Sequence, residues 1–180
     1  MMAKDLSPFL DAVLALKTVR RAGWVAKAGI KDAESVADHT FSMCAIGMAL
    51  SDIMGLDTER AIRMILLHDL AESVVGDYMP GQVAAEKKMQ QESEAMKSIL
   101  ACLPPKVRAD YQKVWQEFLA GKSRTARFVH RLDRLEMALQ ARKYGNDGHD
   151  KKLLAQFLQS AQKVVGREGD LLSDIIGSIK

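Results

Sequence analysis

The sequence predicts an all-α fold in one domain, and three observations predict it. Apolar residues return at spacings of three and four through segment after segment, the repeat of one helix face. Strict apolar–polar alternation, the mark of a half-buried strand, is nearly absent. Helix-starting residues (Ser, Asp, Pro) and helix-ending Gly stand at the borders of those segments. A chain of 180 residues with 48% hydrophobic content is long enough to bury one substantial core. No internal repeat, low-complexity tract or long linker divides it.

Taken in order, Ser7 and Pro8 open the first helix, and Phe9, Leu10, Val13, Leu14 and Leu16 carry its apolar face toward Arg20 and Arg21. Gly23 and Gly29 break the pattern beyond Arg21. Ser35 caps a second helix through His39, Met43, Ile46 and Leu50 to Gly55. Asp57 caps a third, and Glu59 in its first turn suits the helix dipole. Ile62, Ile65, Leu66, Leu70 and Val74 carry that helix to near Gly76, and Asp77 to Gln82 is turn chemistry. A fourth helix starts near Val83, polar at first, then apolar at Met96, Ile99, Leu100 and Leu103. Pro104 and Pro105 stop it and start the next, which carries Val107, Tyr111, Val114, Trp115 and Phe118 to Gly121. Ser123 caps a long helix with Phe128, Leu132, Leu135, Met137, Leu139 and Tyr144. After the turn Gly145 to Gly148, Asp150 caps a helix through Leu154, Phe157 and Val164, and a short amphipathic segment runs from Leu171 to Ile179.

Composition excludes several classes. Lys and Arg number 26 against 23 Asp and Glu, so no electrostatic case exists for binding a nucleic acid polymer or a membrane. Cys44 and Cys102 sit in separate apolar helical patterns and read as buried, reduced thiols rather than a disulfide or zinc framework. The start, Met1 to Leu10, has no long apolar run, so neither a signal peptide nor a membrane span is expected, and the expected location is the cytoplasm.

The chemistry concentrates between Ile65 and Asp77. There His68, Asp69 and Glu72 interrupt a run of apolar residues. Ionisable groups are costly to bury unless they are paired or bind a metal. His68 and Glu72, four apart, share a face on a continuous helix. A metal held by deprotonated ligands would offset the burial; a core histidine partnered by Asp69 is the competing explanation. His39 and Asp133 stand in similarly apolar contexts on two other predicted helices. Four such side chains can converge in a bundle core as metal ligands. Two imidazoles and two carboxylates suit one divalent transition metal (Mn, Co, Fe, Ni or Zn) with open positions, rather than a closed tetrahedral zinc site. The second His-Asp pair, His149-Asp150, reads as a simple helix start.

H…HD…D, realised as His39, His68-Asp69 and Asp133, resembles the HD-domain metal-dependent phosphohydrolase superfamily. Three blocks resemble its 5′-deoxynucleotidase branch: Arg21 to Thr40, His68 to Pro80 and Leu132 to Ala141. The resemblance covers about residues 10–145 and implies one HD domain over 1–180, with C-terminal helices at about 150–180. It implies a single-domain helical bundle with a central metal site held by His39, His68, Asp69 and Asp133. It implies that Glu72 handles protons at the attacking water or leaving oxygen. It implies that Arg21 holds the phosphate, that Trp24 shapes the sugar pocket, and that Asp77 contacts the sugar as part of the catalytic set. It also implies a homodimer. These roles fit the chemistry: a divalent metal lowers the pKa of water and polarises a phosphoryl oxygen, and the planar Arg fork matches phosphate.

One stretch departs from the branch. Relatives carry more acidic residues between Trp115 and Asp133, where this chain has Lys122, Arg124, Arg127, His130 and Arg131. A solvated helix face is the preferred reading of that stretch, with His130 on the surface. The expected function is removal of the 5′-phosphate from deoxyribonucleoside 5′-monophosphates. The alternatives are an HD hydrolase of nucleoside di- or triphosphates or signalling nucleotides, which the basic stretch would favour, and a non-catalytic nucleotide-binding helical protein docking partners through Leu171 to Ile179.

Overall fold

The computed structural model describes residues 5–79, 81–166 and 169–179. Pro80 and Met1 to Lys4, which belong to two of the segments named in the sequence, lie outside them. The described residues form ten α-helices and no strand: α1 (Ser7–Ala15), α2 (Ala22–Ala28), α3 (Val36–Ile53), α4 (Thr58–His68), α5 (Glu72–Val75), α6 (Ala85–Leu100), α7 (Pro105–Ala120), α8 (Arg124–Asn146), α9 (Lys151–Val165) and α10 (Leu171–Ser178). The fold is all-α, as the periodicity predicts.

The long helix α8 is the axis of the bundle, with α3, α4, α7, α9 and α10 packed around it. Its inner face buries Phe128, Val129, Leu132, Leu135 and Ala138 against Met43, Met64 and Ile65. Capping follows the sequence. Ser35 and Asp38 form a reciprocal capping box at α3, and Asp57, Ser123 and Asp150 cap α4, α8 and α9. Asp150 thus does what the simple reading of His149-Asp150 requires. Gly47 lets α3 come close: a Cβ there would lie 2.7 Å from both Ile65 Cδ1 and Leu132 Cδ2. That close approach sets the three helices that carry the ionisable residues against one another.

The structure differs from the sequence expectation in several places. Residues 22–28 are helical despite Gly23. Asp77 Oδ2 accepts the Ala22 N–H at 2.8 Å, so the carboxylate that starts α2 comes from far along the chain. The third predicted helix does not run to Gly76 but stops at His68. There the Asp69 N–H turns back to the Leu67 carbonyl, and His68 Nδ1–H donates to the Ile65 carbonyl at 2.6 Å, satisfying an acceptor the broken helix would otherwise orphan. Several residues of the apolar faces read from the sequence are exposed: Leu10, Leu14 and Leu66. The Leu171–Ile179 segment is no docking arm, since α10 packs on α8 and α9 and buries Leu172 and Ile176. Cys44 and Cys102 are unpaired and half-buried, and burial pushes the Cys44 thiol up to about 11.

Candidate metal centre

Three helices bring the predicted ligands together. His39 comes from the first turns of α3, His68 from the last residue of α4 with Asp69 just after it, and Asp133 from the middle of α8. His39 Nε2 lies 3.3 Å from Asp133 Oδ1 and 3.9 Å from Asp69 Oδ2, and His68 Nε2 lies 3.0 Å from the same Asp69 oxygen. His39, His68 and Asp69 each offer one ligand atom within a common 4.8 Å. Asp133 flanks that trio on the His39 side. Both imidazoles are buried.

The orientation of the rings is set from behind. His39 Nδ1–H points at Glu136 Oε2, 2.6 Å away, and His68 Nδ1–H is held by the Ile65 carbonyl. In the neutral ring, the form a metal ligand takes, each Nε2 is the lone-pair nitrogen facing the carboxylates. Neither Nε2 makes a hydrogen bond, although both are fully buried. Buried orphaned nitrogens are rare, and two of them converging on two carboxylates match the donor set of a divalent metal, with the outer Nδ1 bonds that metal-binding histidines make. The residues fit the implied metal.

The charges of the cluster act strongly on one another. Burial pushes the Asp69 carboxyl up, but His68, Arg21 and His39 hold it well below the usual carboxylate range. The same holds for Asp133, where His39, Arg134 and Arg21 outweigh burial. Burial and the Arg21 charge push His39 down, but Asp133 and Glu136 outweigh them and lift it to about 9. Burial, with Asp69 and Asp77 nearby, pushes Glu72 up to about 10, so it carries a proton near neutral pH.

The cluster opens into a cavity of about 230 Å³. Arg21, Trp24, Asp69, Glu72, Asp77 and Asp133 all line it. Arg21 is held at the mouth of α2: its N–H donates to the Glu34 carbonyl (3.0 Å), and the Asp77 carboxylate starts the helix at the next residue. Its guanidinium then lies 3.4 Å from Asp69 and 3.7 Å from Asp133. Trp24 is buried, stacks on Phe157 of α9 at 4.2 Å, and donates its indole N–H to Glu34 at 2.8 Å.

Several residues here went unassigned in the sequence. Glu136 follows Asp133 by three in the apolar run LDRLEMAL, and that break in the pattern was a usable signal. Glu34 and Lys88 gave none, and Phe157, Gln156 and Ser160 line the cavity from a helix outside the resembling blocks. Conversely, no residue of the basic 122–131 stretch lines it. Lys122, Arg124 and Arg127 are exposed, as a solvated face predicts. Arg131 is buried and gripped by both oxygens of Asp170 at 2.6 Å, which corrects that reading for this residue. His130 is half-buried rather than on the surface; it stacks on Phe118 at 4.2 Å, and Phe118 in turn meets the His68 ring edge-on.

A His–Asp cluster with buried imidazoles inside an all-α bundle defines a class, and comparison agrees with it. The family profile described as HD domain matches residues 13–171, and the chain belongs to the HD-domain family. A crystal structure of the PH0347 protein from Pyrococcus horikoshii OT3 has the same fold, with a TM-score of 0.78 at 27% identity over 95% of this chain and 96% of that one. Within the family the chain belongs with the 5′-deoxynucleotidases. It is 38% identical over 159 residues to 5′-deoxynucleotidase HDDC2 of Homo sapiens, spanning 88% of this chain and 77% of that protein. It is also 38% identical over 162 residues to 5′-deoxynucleotidase hdd1 of Schizosaccharomyces pombe, spanning 86% and 81%. No helix among the described residues is long and apolar enough to cross a membrane.

Proposed function

We propose that this protein removes the 5′-phosphate from deoxyribonucleoside 5′-monophosphates, yielding deoxynucleoside and phosphate. The observation that carries the reading is the pair of buried, unpartnered Nε2 atoms of His39 and His68 beside Asp69 and Asp133, at a cavity that also holds Arg21 and Glu72. His39, His68, Asp69 and Asp133 are the residues that would hold one divalent transition metal (Mn, Co, Fe, Ni or Zn). When bound, that metal supplies a Lewis acid for a phosphoryl oxygen and a water of lowered pKa. Arg21 binds the phosphate through its planar fork. Glu72, whose carboxyl burial pushes up, is placed to donate to the departing 5′-oxygen. Trp24 and Phe157 form the apolar wall for sugar and base, and an apolar face set against the 2′ position disfavours ribose. Because α9 closes that wall, we take residues 1–180 as one domain.

The test is a phosphate-release screen of deoxyribo- against ribonucleoside monophosphates with Mn²⁺, Co²⁺ and Mg²⁺. Release from the deoxy series alone is the expected result. Equal rates on both series remove the sugar selectivity, and release only from di- or triphosphates removes the reading.

Asp77 has two jobs in this reading, and they separate by substitution. Asp77→Ala deletes the acceptor that starts α2, so stability should fall by about 1 kcal/mol and KM should rise as Arg21 and Trp24 loosen. Asp77→Asn keeps an acceptor oxygen, so its melting temperature should stay near wild type while kcat/KM still falls. Equal melting temperatures for the two variants would contradict the capping role.

The partner we infer is a second copy of this chain. Phe41 is 76% exposed beside an apolar groove that Phe9, Val13, Leu66 and Tyr111 line, a patch of the kind that marks an interface. Phe41→Lys should move the protein from dimer to monomer mass in light scattering; an unchanged mass excludes this face. The unpaired cysteines suit a reducing compartment, in keeping with the cytoplasm.

A further inference from the structure

Counted over the metal, Arg21 and the three aspartates at the chemistry, a dianionic substrate is short of cations. A divalent metal and Arg21 bring three positive charges. Asp69, Asp77 and Asp133 match them before any substrate enters, and a phosphate monoester adds up to two negative charges. In a partly desolvated cleft that excess is unfavourable unless another cation reaches the phosphoryl oxygens.

Three further cations line the cavity: Lys27, Lys88 and Arg134. Arg134 is committed beside Asp133, its Nε 3.7 Å from Oδ2. Lys27 is exposed on the last turn of α2. Lys88 differs from both. It sits in the early turns of α6, which packs on α5, the short helix that begins with Glu72. Its side chain is one-third exposed, and its Nζ lies 3.3 Å from Glu92 Oε1, one turn further along α6. Besides Glu92, its charge acts on Glu72 and Asp69, both of which line the same cavity. No other cation approaches the site from this wall among the described residues.

We propose that Lys88 is a phosphate-binding residue of this site, reaching the phosphoryl group from α6 while Arg21 holds it from α2. The proposal rests on the phosphomonoesterase reading of the site. Glu92 keeps the ammonium parked at the cavity wall in the free protein. A lysine suits this task, because a point charge on a flexible stem can follow the phosphoryl oxygens as they move, where a rigid fork cannot. The extra cation also fits a terminal, dianionic phosphate better than a monoanionic diester, so it favours monoesters as the substrate class.

The test uses metal-loaded protein, with inorganic phosphate as the probe. Phosphate affinity is measured by calorimetry for wild type, Lys88→Met, Lys88→Arg and Glu92→Gln, alongside metal content, melting temperature, KM and kcat on a deoxynucleoside monophosphate. Lys88→Met should weaken phosphate binding by about tenfold or more, raise KM by a similar factor, and leave metal content and melting temperature near wild type. Lys88→Arg should recover most of the loss. Phosphate affinity within about twofold of wild type in Lys88→Met overturns the proposal. So does equal destabilisation of Lys88→Met and Glu92→Gln with phosphate affinity unmoved, since Lys88 would then serve only the ion pair. If wild type releases no phosphate from any nucleotide, the functional reading fails, while the calorimetry still judges Lys88.

Discussion

His39→Ala or Asp133→Ala should abolish phosphate release, lowering kcat/KM by roughly three orders of magnitude or more, the several kcal/mol that a Lewis acid contributes to phosphoryl transfer. The same variants should purify without stoichiometric metal and lose the rise in melting temperature that added metal gives wild type, because a ligand that binds only the folded state stabilises it. Metal analysis and thermal denaturation check this directly. Glu136→Ala, which removes only the acceptor behind the His39 ring, should lower metal affinity by about 10–100-fold instead. Full activity in His39→Ala would mean that the cluster is an ion-pair network of the fold. That outcome has a physical basis, since Arg21 already lies 3.4 Å from Asp69 and could neutralise it.

Glu72→Gln should lower kcat by about 10²–10⁴-fold with KM and metal content little changed. The amide keeps the shape of the side chain and removes the transferable proton. The pH profile gives a second check. Burial, Asp69 and Asp77 raise the Glu72 pKa, so the proton is present below that value and is lost as pH rises through it. If Glu72 is the acid, wild-type kcat falls on the alkaline side, and the variant, already slow, loses that limb. An unchanged alkaline limb in Glu72→Gln would assign the acid to another group.

The four clustered side chains were legible because burial of ionisable groups leaves a mark in one dimension. His39, His68, Asp69 and Asp133 each interrupt an apolar helical pattern, and such an interruption persists only when something compensates it. Glu136 obeys the same rule, yet its role behind His39 could not be separated from that of a ligand without coordinates. The helix starts at Ser35, Asp57, Ser123 and Asp150 were legible because their capping bonds span two or three residues. Helix α2 was not, because its start depends on Asp77, 55 residues away, while its own Gly23 argues for a break. The stop at His68 was hidden for a related reason: nothing in the local apolar run shows that the imidazole takes the Ile65 carbonyl.

By itself the sequence determined an all-α chain, the borders of most of its helices, and the four side chains that meet at the cluster. These rest on short-range physics: helix periodicity, local capping bonds and the cost of a charge in an apolar face. Tertiary structure alone decided which Nε2 atoms are left unpartnered, how Asp77 sets Arg21 and Trp24 at the cavity, and that α6 and α9 supply Lys88 and Phe157 to its walls. Those facts depend on contacts between residues far apart in the chain, and the strength of such contacts lies in distance and direction, which residue order does not encode.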